Sequence, residues 1–225
     1  MRALARTGWE IAEPVPRGEP VVDAAEGVDV LAITTPDGVI DEVAARVRPV
    51  SETLVVHCSA ALTLAALAPH ERRASLHPLV PLPSAELGSE RLVGAWFAVA
   101  GDAGVQDVVA AQRGKPIVVV DAHRAEYHAA AAIASNHVVA LFGQVQRVAL
   151  RAHVPLEAYL DLARASIESV AELGPVSAIT GPIQRGDWGT VASHLEALDP
   201  SERAAYEVMA HEVARLVRAQ EGVGA

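Results

Sequence analysis

Cysteine is nearly absent: Cys58 is the only one in 225 residues. An internal disulfide is therefore excluded, and so is a thiolate metal cage, which fits a reducing compartment. Long hydrophobic runs are missing too, because polar residues interrupt them before the roughly 18 apolar positions that a bilayer span needs. Even Ala129 to Val145 contains Ser135, Asn136, His137 and Gln144, so no membrane span is expected. Near the N-terminus two arginines lead into Trp9-Glu10, Pro14 and Pro16 with no sustained apolar segment between. No export signal is read there, and a cytoplasmic location is expected. Positive charge is in deficit, with 18 Lys+Arg against 28 Asp+Glu and a net charge of −10. That balance repels a phosphate backbone, and no dense basic cluster compensates, so nucleic acid is not an expected partner. Aromatic residues make up 4%, which leaves a core of small side chains suited to close helices and parallel strands.

What is present is half apolar, 51%, enough to bury a core in one large or two modest domains. Between Val28 and Asp121 short β-branched runs alternate with helical stretches. The runs are 28–33, 53–57, 74–76, 95–99 and 116–120; the first, second and last are almost wholly apolar, as strands covered on both faces are. Gly38 to Val47 places Val39, Ile40, Val43, Ala44 and Val47 on one helical stripe, with Pro49 as a stop. Pro14 to Pro20 reads as an irregular surface loop.

After Asp121 the strand signal ends and helices are expected at about 123–151, 155–173, 187–198 and 200–220. Gly174-Pro175 should end the second, and Asp199-Pro200-Ser201-Glu202 starts the last, with Asp as cap and Glu in position to reach back. The fold class is thus α/β, a Rossmann-like mostly parallel sheet, followed by an all-α domain. The division falls at 1–121 and 122–225.

Three strands of such a sheet run into polar residues: Thr34-Thr35-Pro36-Asp37, His57-Cys58-Ser59 and His77-Pro78. In an open parallel sheet those carboxyl ends face one crevice where ligands sit. The structural alternative is that Thr35 and Asp37 cap the next helix, His57 satisfies a core hydrogen bond and Ser59 caps its own helix. A second group lies on the first long helix, where His128 and Ser135, seven apart, share a face with Asn136 beside them. Alanines between them allow close approach of other backbone, either as a lined cleft or as plain tight packing. The third group is Thr180-Gly181-Pro182-Ile183-Gln184-Arg185-Gly186-Asp187. Asp187 is a natural N-cap, and Arg185 could grip a carboxylate or phosphate or stand free at the surface. The nine histidines form no H-E-x-x-H, and His123 and His128 are awkwardly spaced for one ion, so no metal site is expected.

These segments, taken in order with Ser75-Leu76-His77-Pro78-Leu79, Tyr127-His128-Ala129-Ala130-Ala131 and His194-Leu195, resemble Rossmann-like proteins of the 6-phosphogluconate dehydrogenase-like superfamily whose C-terminal helical domain has no known function. The resemblance implies an NAD(P)-dependent oxidoreductase acting on a small oxo or hydroxy acid between two domains, as in ketopantoate reductase, 3-hydroxyisobutyrate dehydrogenase and prephenate dehydrogenase. It implies a homodimer formed through the helical domain. Thr34, Thr35, Pro36, His57, Cys58 and Ser59 would border the cofactor, NADP or NAD. Asn136 would orient the substrate carbonyl, with Ser135 nearby; His128 or His77 would pass the proton, and Arg185 or Thr180 would hold an acid group.

Two features depart from that pattern. Several relatives carry a Lys one turn before the Asn, where this chain has Ala132. No G-x-G-x-x-G occurs either, and Ala3 to Ile11 resembles the end of the first helix and the start of the second strand. The first strand and glycine turn then precede Met1 or have been lost. The competing expectation is a degenerate, non-catalytic dehydrogenase scaffold that serves as a dimeric ligand-binding or interaction protein.

Overall fold

The computed structural model describes residues 2–223. It divides into two compact units, one through Asn136 and one from His137 onward. The first holds a five-stranded sheet of β1 (Val30–Ile33), β2 (Leu54–His57), β3 (Arg73–Pro78), β4 (Trp96–Gly101) and β5 (Lys115–Val118), in that spatial order. The pairs β1–β2, β2–β3 and β4–β5 are parallel and β3–β4 is antiparallel. The five strand runs expected from β-branched content are all present, and the sheet is mostly parallel.

Helices of this unit are α1 (Arg2–Ala5), α2 (Ile40–Arg46), α3 (Ala85–Arg91), α4 (Val105–Ala111) and α5 (Arg124–Ala132). Helices α3 and α4 were not foreseen; each has only seven residues, too few for a periodic stripe to show. Trp9 to Ile11 form no strand, contrary to the resemblance; Trp9 packs with Leu4 against the core instead.

The strand period of two sorts the core onto two faces. Leu54, Val56, Ala74, Leu76, Phe97 and Val99 meet Val105, Val108 and Val109 of α4 on one face. On the other, Ile33 and Val55 pack with Ile40, Ala44 and Leu67. Each such side chain contributes about 1.5–3 kcal/mol by leaving water. Register pairs Ile33 with His57 and His57 with Ser75. Hence the second face changes from apolar to polar as β2 and β3 proceed, through His57, Ser75 and His77.

From His137 the second unit is helical: α6 (Val138–Arg151), α7 (Leu156–Leu173), α8 (Pro175–Ala178), α9 (Trp188–Ala197) and α10 (Pro200–Val223). Gly174, at φ +77°, ends α7, and Pro175 restarts the chain as the short α8. Asp187 caps α9 as expected, accepting the Thr190 amide at 3.0 Å and its hydroxyl at 2.7 Å. Asp199 accepts the Ser201 amide at 3.0 Å. Glu202, however, does not reach back; Arg147 of α6 holds its carboxylate at 2.5 and 3.0 Å. A charged fork across two helices outcompetes a neutral local amide.

One long helix was expected at 123–151. It is interrupted by a π-turn at Ile133–His137, where the wider turn shifts the helical phase. The shared face of His128 and Ser135, argued from uniform 3.6-residue spacing, is therefore not maintained. No helix among the described residues is long and apolar enough to cross a membrane.

Candidate functional site

The strand ends of the first unit are joined by short polar contacts. After β1 the chain turns at Pro36, and the Asp37 carboxylate accepts the Ser59 hydroxyl at 2.6 Å. Ser59 Oγ in turn accepts the amides of Ala61 and Leu62, each at 3.1 Å. Ser59 thus closes its own turn rather than capping a helix, since the next helical residues are the 3-10 turn Leu64–Leu67. Thr35 caps nothing, and its buried hydroxyl has no hydrogen-bond partner among the described residues.

His57 departs from the bland expectation. It is fully buried, and neither ring nitrogen has a hydrogen-bond partner of good geometry among the described residues, the Thr63 main chain being the nearest polar group acting on the ring. Burial lowers its pKa, and the nearby Arg124 charge lowers it further. The Thr63 main chain and the carboxylates of Asp37 and Asp121 oppose this without reversing it. The ring is therefore held neutral. Cys58 is beside it, its thiol pushed up to about 11 by burial, so it stands at the site as a neutral thiol and not as a nucleophile.

Helix α5 covers the polar part of this sheet face. Ser75 and His77 are two apart on a strand and project together; Arg124 and Tyr127 are three apart on a helix and do the same. The two spacings mesh. Arg124 donates to the Ser75 hydroxyl, and Asp121 fixes the guanidinium from its other side at 2.8 Å. Asp121 also accepts the Leu64 amide at 3.2 Å. Tyr127 Oη lies 2.6 Å from His77 Nδ1, with the two rings edge to face at 84°. His77 is shifted down by burial first, then by His128 and Arg124, against the opposing pull of Asp37. Burial raises the Tyr127 phenol despite Arg124, so the hydroxyl keeps its proton.

His128 lines a depression of about 340 Å³ with Ala61, Ala125, Ala129 and Ala132. The alanine stripe thus leaves open space beside the imidazole. Ser135 and Asn136 are in the π-turn, where the Ser135 hydroxyl donates to the Asn136 amide oxygen at 2.9 Å. Among the described residues no group of three or more His, Cys, Asp or Glu is arranged to hold a metal ion.

In the helical unit Thr180 and Arg185 are exposed on the turn before α9. The Arg185 amide donates to the Gly181 and Pro182 carbonyls, while its side chain makes no hydrogen bond or ion pair among the described residues and is close enough to Asp187 to help depress its carboxyl, after the Thr190 hydrogen bonds. This unit also has a half-open cavity of about 900 Å³. Its charged lining is largely self-paired, through Arg147 with Glu202 and, more loosely, Arg151 with Asp199 at 3.9 Å.

Residues 98–213, just over half of the chain, match the family model described as a domain of unknown function, DUF2520. The chain belongs to the DUF2520 family. None of the curated proteins matches it. Among solved structures, a Thermotoga maritima protein aligns with TM-score 0.72 and 23% identity over 86% of this chain and 80% of its own. A candidate NADP oxidoreductase of Bacteroides fragilis aligns with TM-score 0.75 and 19% identity over 95% and 92%. Plasmodium falciparum pyrroline carboxylate reductase with NADP bound aligns with TM-score 0.53 and 12% identity over 96% and 93%. These likenesses show a Rossmann-like fold.

Within this DUF2520 chain, the first unit brings together Thr35, His57, Cys58, Ser59, His77 and His128 at one end of α5 and the parallel strands. Sequence reasoning missed Arg124 and the role of Tyr127. Their signal was available only in combination, as an i, i+3 pair on a helix opposite an i, i+2 pair on a strand, and nothing local says which strand a helix will cover.

Proposed function

We propose that this DUF2520 protein is an NAD(P)-dependent oxidoreductase acting on a small oxo or hydroxy acid. One observation carries the reading: His77, Tyr127, Ser75 and Arg124 form a desolvated, hydrogen-bonded set at the strand ends, beside buried polar atoms of Thr35 and His57 that lack a well-formed hydrogen bond among the described residues. Unpaired buried polar groups are costly, and functional sites are where such cost is retained.

For a nicotinamide cofactor, the residues present fit one end. Thr34, Thr35, Pro36, His57, Cys58 and Ser59 would hold the nicotinamide end, a polar rim with neutral His57 and Cys58. When bound, that group would supply or accept a hydride. For the pyrophosphate, no G-x-G-x-x-G occurs in these 225 residues to present backbone amides. In this reading His128 or His77 carries the proton, Asn136 and Ser135 orient the substrate oxygen, and Arg185 or Thr180 of the helical unit holds the acid group. The domain limits 1–121 and 122–225 belong to the same proposal, α5 serving the sheet unit although it opens the helical half.

A homodimer through the helical unit is part of the proposal. Val139, Leu150, Leu162, Ile167, Leu173 and Val208 are each more than half exposed, a quantity of apolar surface that a second copy would cover. Sedimentation of a monomer at micromolar concentration would remove this element.

The second reading, a non-catalytic scaffold, draws on Ala132, which stands where the resemblance would place a Lys. Titration with NADPH and NADH, followed by nicotinamide fluorescence and thermal shift, separates the two. Micromolar binding supports the oxidoreductase; silence towards both cofactors overturns it. With a substrate in hand, His128→Ala is expected to abolish turnover while leaving the fold intact, and unchanged turnover would exclude His128 from proton transfer.

A further inference from the structure

His77 and Tyr127 are joined more specifically than the proposed activity requires. A neutral imidazole carries one proton, on either Nδ1 or Nε2, and the group bonded to one nitrogen decides the state of the other. The contact is 2.6 Å long. Tyr127 Oη has no other hydrogen-bond partner among the described residues, so donation to Nδ1 is the arrangement that gives the phenol proton an acceptor within the protein. Edge-to-face ring packing at 5.7 Å between centroids restricts both side chains to this arrangement.

The charged and titratable groups facing His77 agree with a neutral ring. From α5 these are Arg124 and His128; from the turn after β1 it is Asp37. Arg124 is buried and fixed between Asp121 and Ser75, so its positive charge cannot swing away when the ring would take a second proton. His77 Nε2 has no hydrogen-bond partner among the described residues, and it is not one of the sealed orphan atoms. The outer nitrogen therefore reaches the surface.

We propose that Tyr127 is a positioning residue that holds His77 in the neutral tautomer with its proton on Nε2, making the outer ring nitrogen a hydrogen-bond donor to a substrate oxygen. The use of that donor rests on the oxidoreductase reading; the tautomer does not. His77 is then an electrophilic donor to a carbonyl or hydroxyl oxygen rather than a base, and the neighbouring His128, beside the open depression, is left as the candidate for proton transfer. The two histidines, interchangeable in sequence, acquire different roles from the group each one faces.

The test is a long-range proton–nitrogen correlation spectrum of uniformly ¹⁵N-labelled protein at pH 7.5, with His77 assigned by its loss in His77→Asn. The expected result is a pyridine-like Nδ1 and a pyrrole-like Nε2. In Tyr127→Phe the two nitrogen shifts should move towards each other as the tautomers mix, and the His77 titration midpoint should change. A pyrrole-like Nδ1 in the unmodified protein overturns the proposal, as does a His77 spectrum that Tyr127→Phe leaves unchanged. Should Tyr127→Phe fail to fold, as judged by circular dichroism, the spectrum of the unmodified protein still decides the tautomer. No cofactor or substrate enters the measurement. Failure to bind nicotinamide would end the functional reading without touching this one, and a wrong tautomer would do the reverse.

Discussion

Replacing His57 with methionine tests whether the buried ring is kept for function at the expense of stability. The imidazole is fully buried, and among the described residues neither nitrogen has a hydrogen-bond partner of good geometry. Leaving such a group unsatisfied costs about 1–3 kcal/mol for each donor or acceptor. Methionine removes both polar atoms, and its unbranched thioether adapts to irregular space on the sheet face it shares with Ile33 and Val55. Imperfect fit takes back some of the gain, since changes of core shape cost about 1–3 kcal/mol. His57→Met is therefore expected to stabilise the sheet unit by about 1–3 kcal/mol at pH 7.5. Urea unfolding followed by tryptophan fluorescence measures it, because Trp9 and Trp96 report on this unit. If the ring also borders a nicotinamide, the same variant should bind NADPH at least tenfold more weakly, a loss of about 1.4 kcal/mol. Stability and binding would then move in opposite directions. Destabilisation by more than about 1 kcal/mol would refute the reasoning, because it would mean that the ring nitrogens are satisfied in solution.

Acid should weaken the sheet unit. His57 and His77 both have folded pKa values below the ordinary 6.5, so the unfolded chain takes up protons first. Stability is then complete above about pH 6.5 and falls as the pH drops through the folded values. The urea midpoint measured from pH 7.5 to 5 should decline, and less steeply in His57→Met; a flat profile would contradict the neutral, desolvated histidines. Gly101→Ala should cost about 2 kcal/mol or more: Gly101 sits at φ +92°, and an added Cβ would collide with the Arg73 carbonyl oxygen. The same unfolding measurement checks it, and a near-neutral result would place the end of β4 differently.

Much of the architecture was legible locally. The apolar runs at Val30–Ile33 and Leu54–His57, with the helical stripe through Ile40 and Ala44 between them, form the unit expected from their periodicity, because burial on both faces leaves a composition that can be read without knowing the neighbours. Asp187 was readable as a cap for a similar reason: its partner is only three residues away. Glu202 was not, since its carboxylate is claimed by Arg147, 55 residues distant. The π-turn at Ile133–His137 was hidden as well, because Ile133-Ala134-Ser135-Asn136-His137 contains no helix breaker.

The candidate site divides along the same line. Residue order by itself determined that His57, Cys58 and Ser59 follow a buried strand, that His77 ends another, and that a helix rich in alanine carries Tyr127 and His128. Only the tertiary structure decided that α5 lies across β3, so that Arg124 meets Ser75, Tyr127 meets His77, and His57 is buried with no well-formed hydrogen bond among the described residues. Local spacing fixes which side chains share a face. Which face meets which depends on how all the apolar surface of the unit is buried at once, and that is a property of the whole chain.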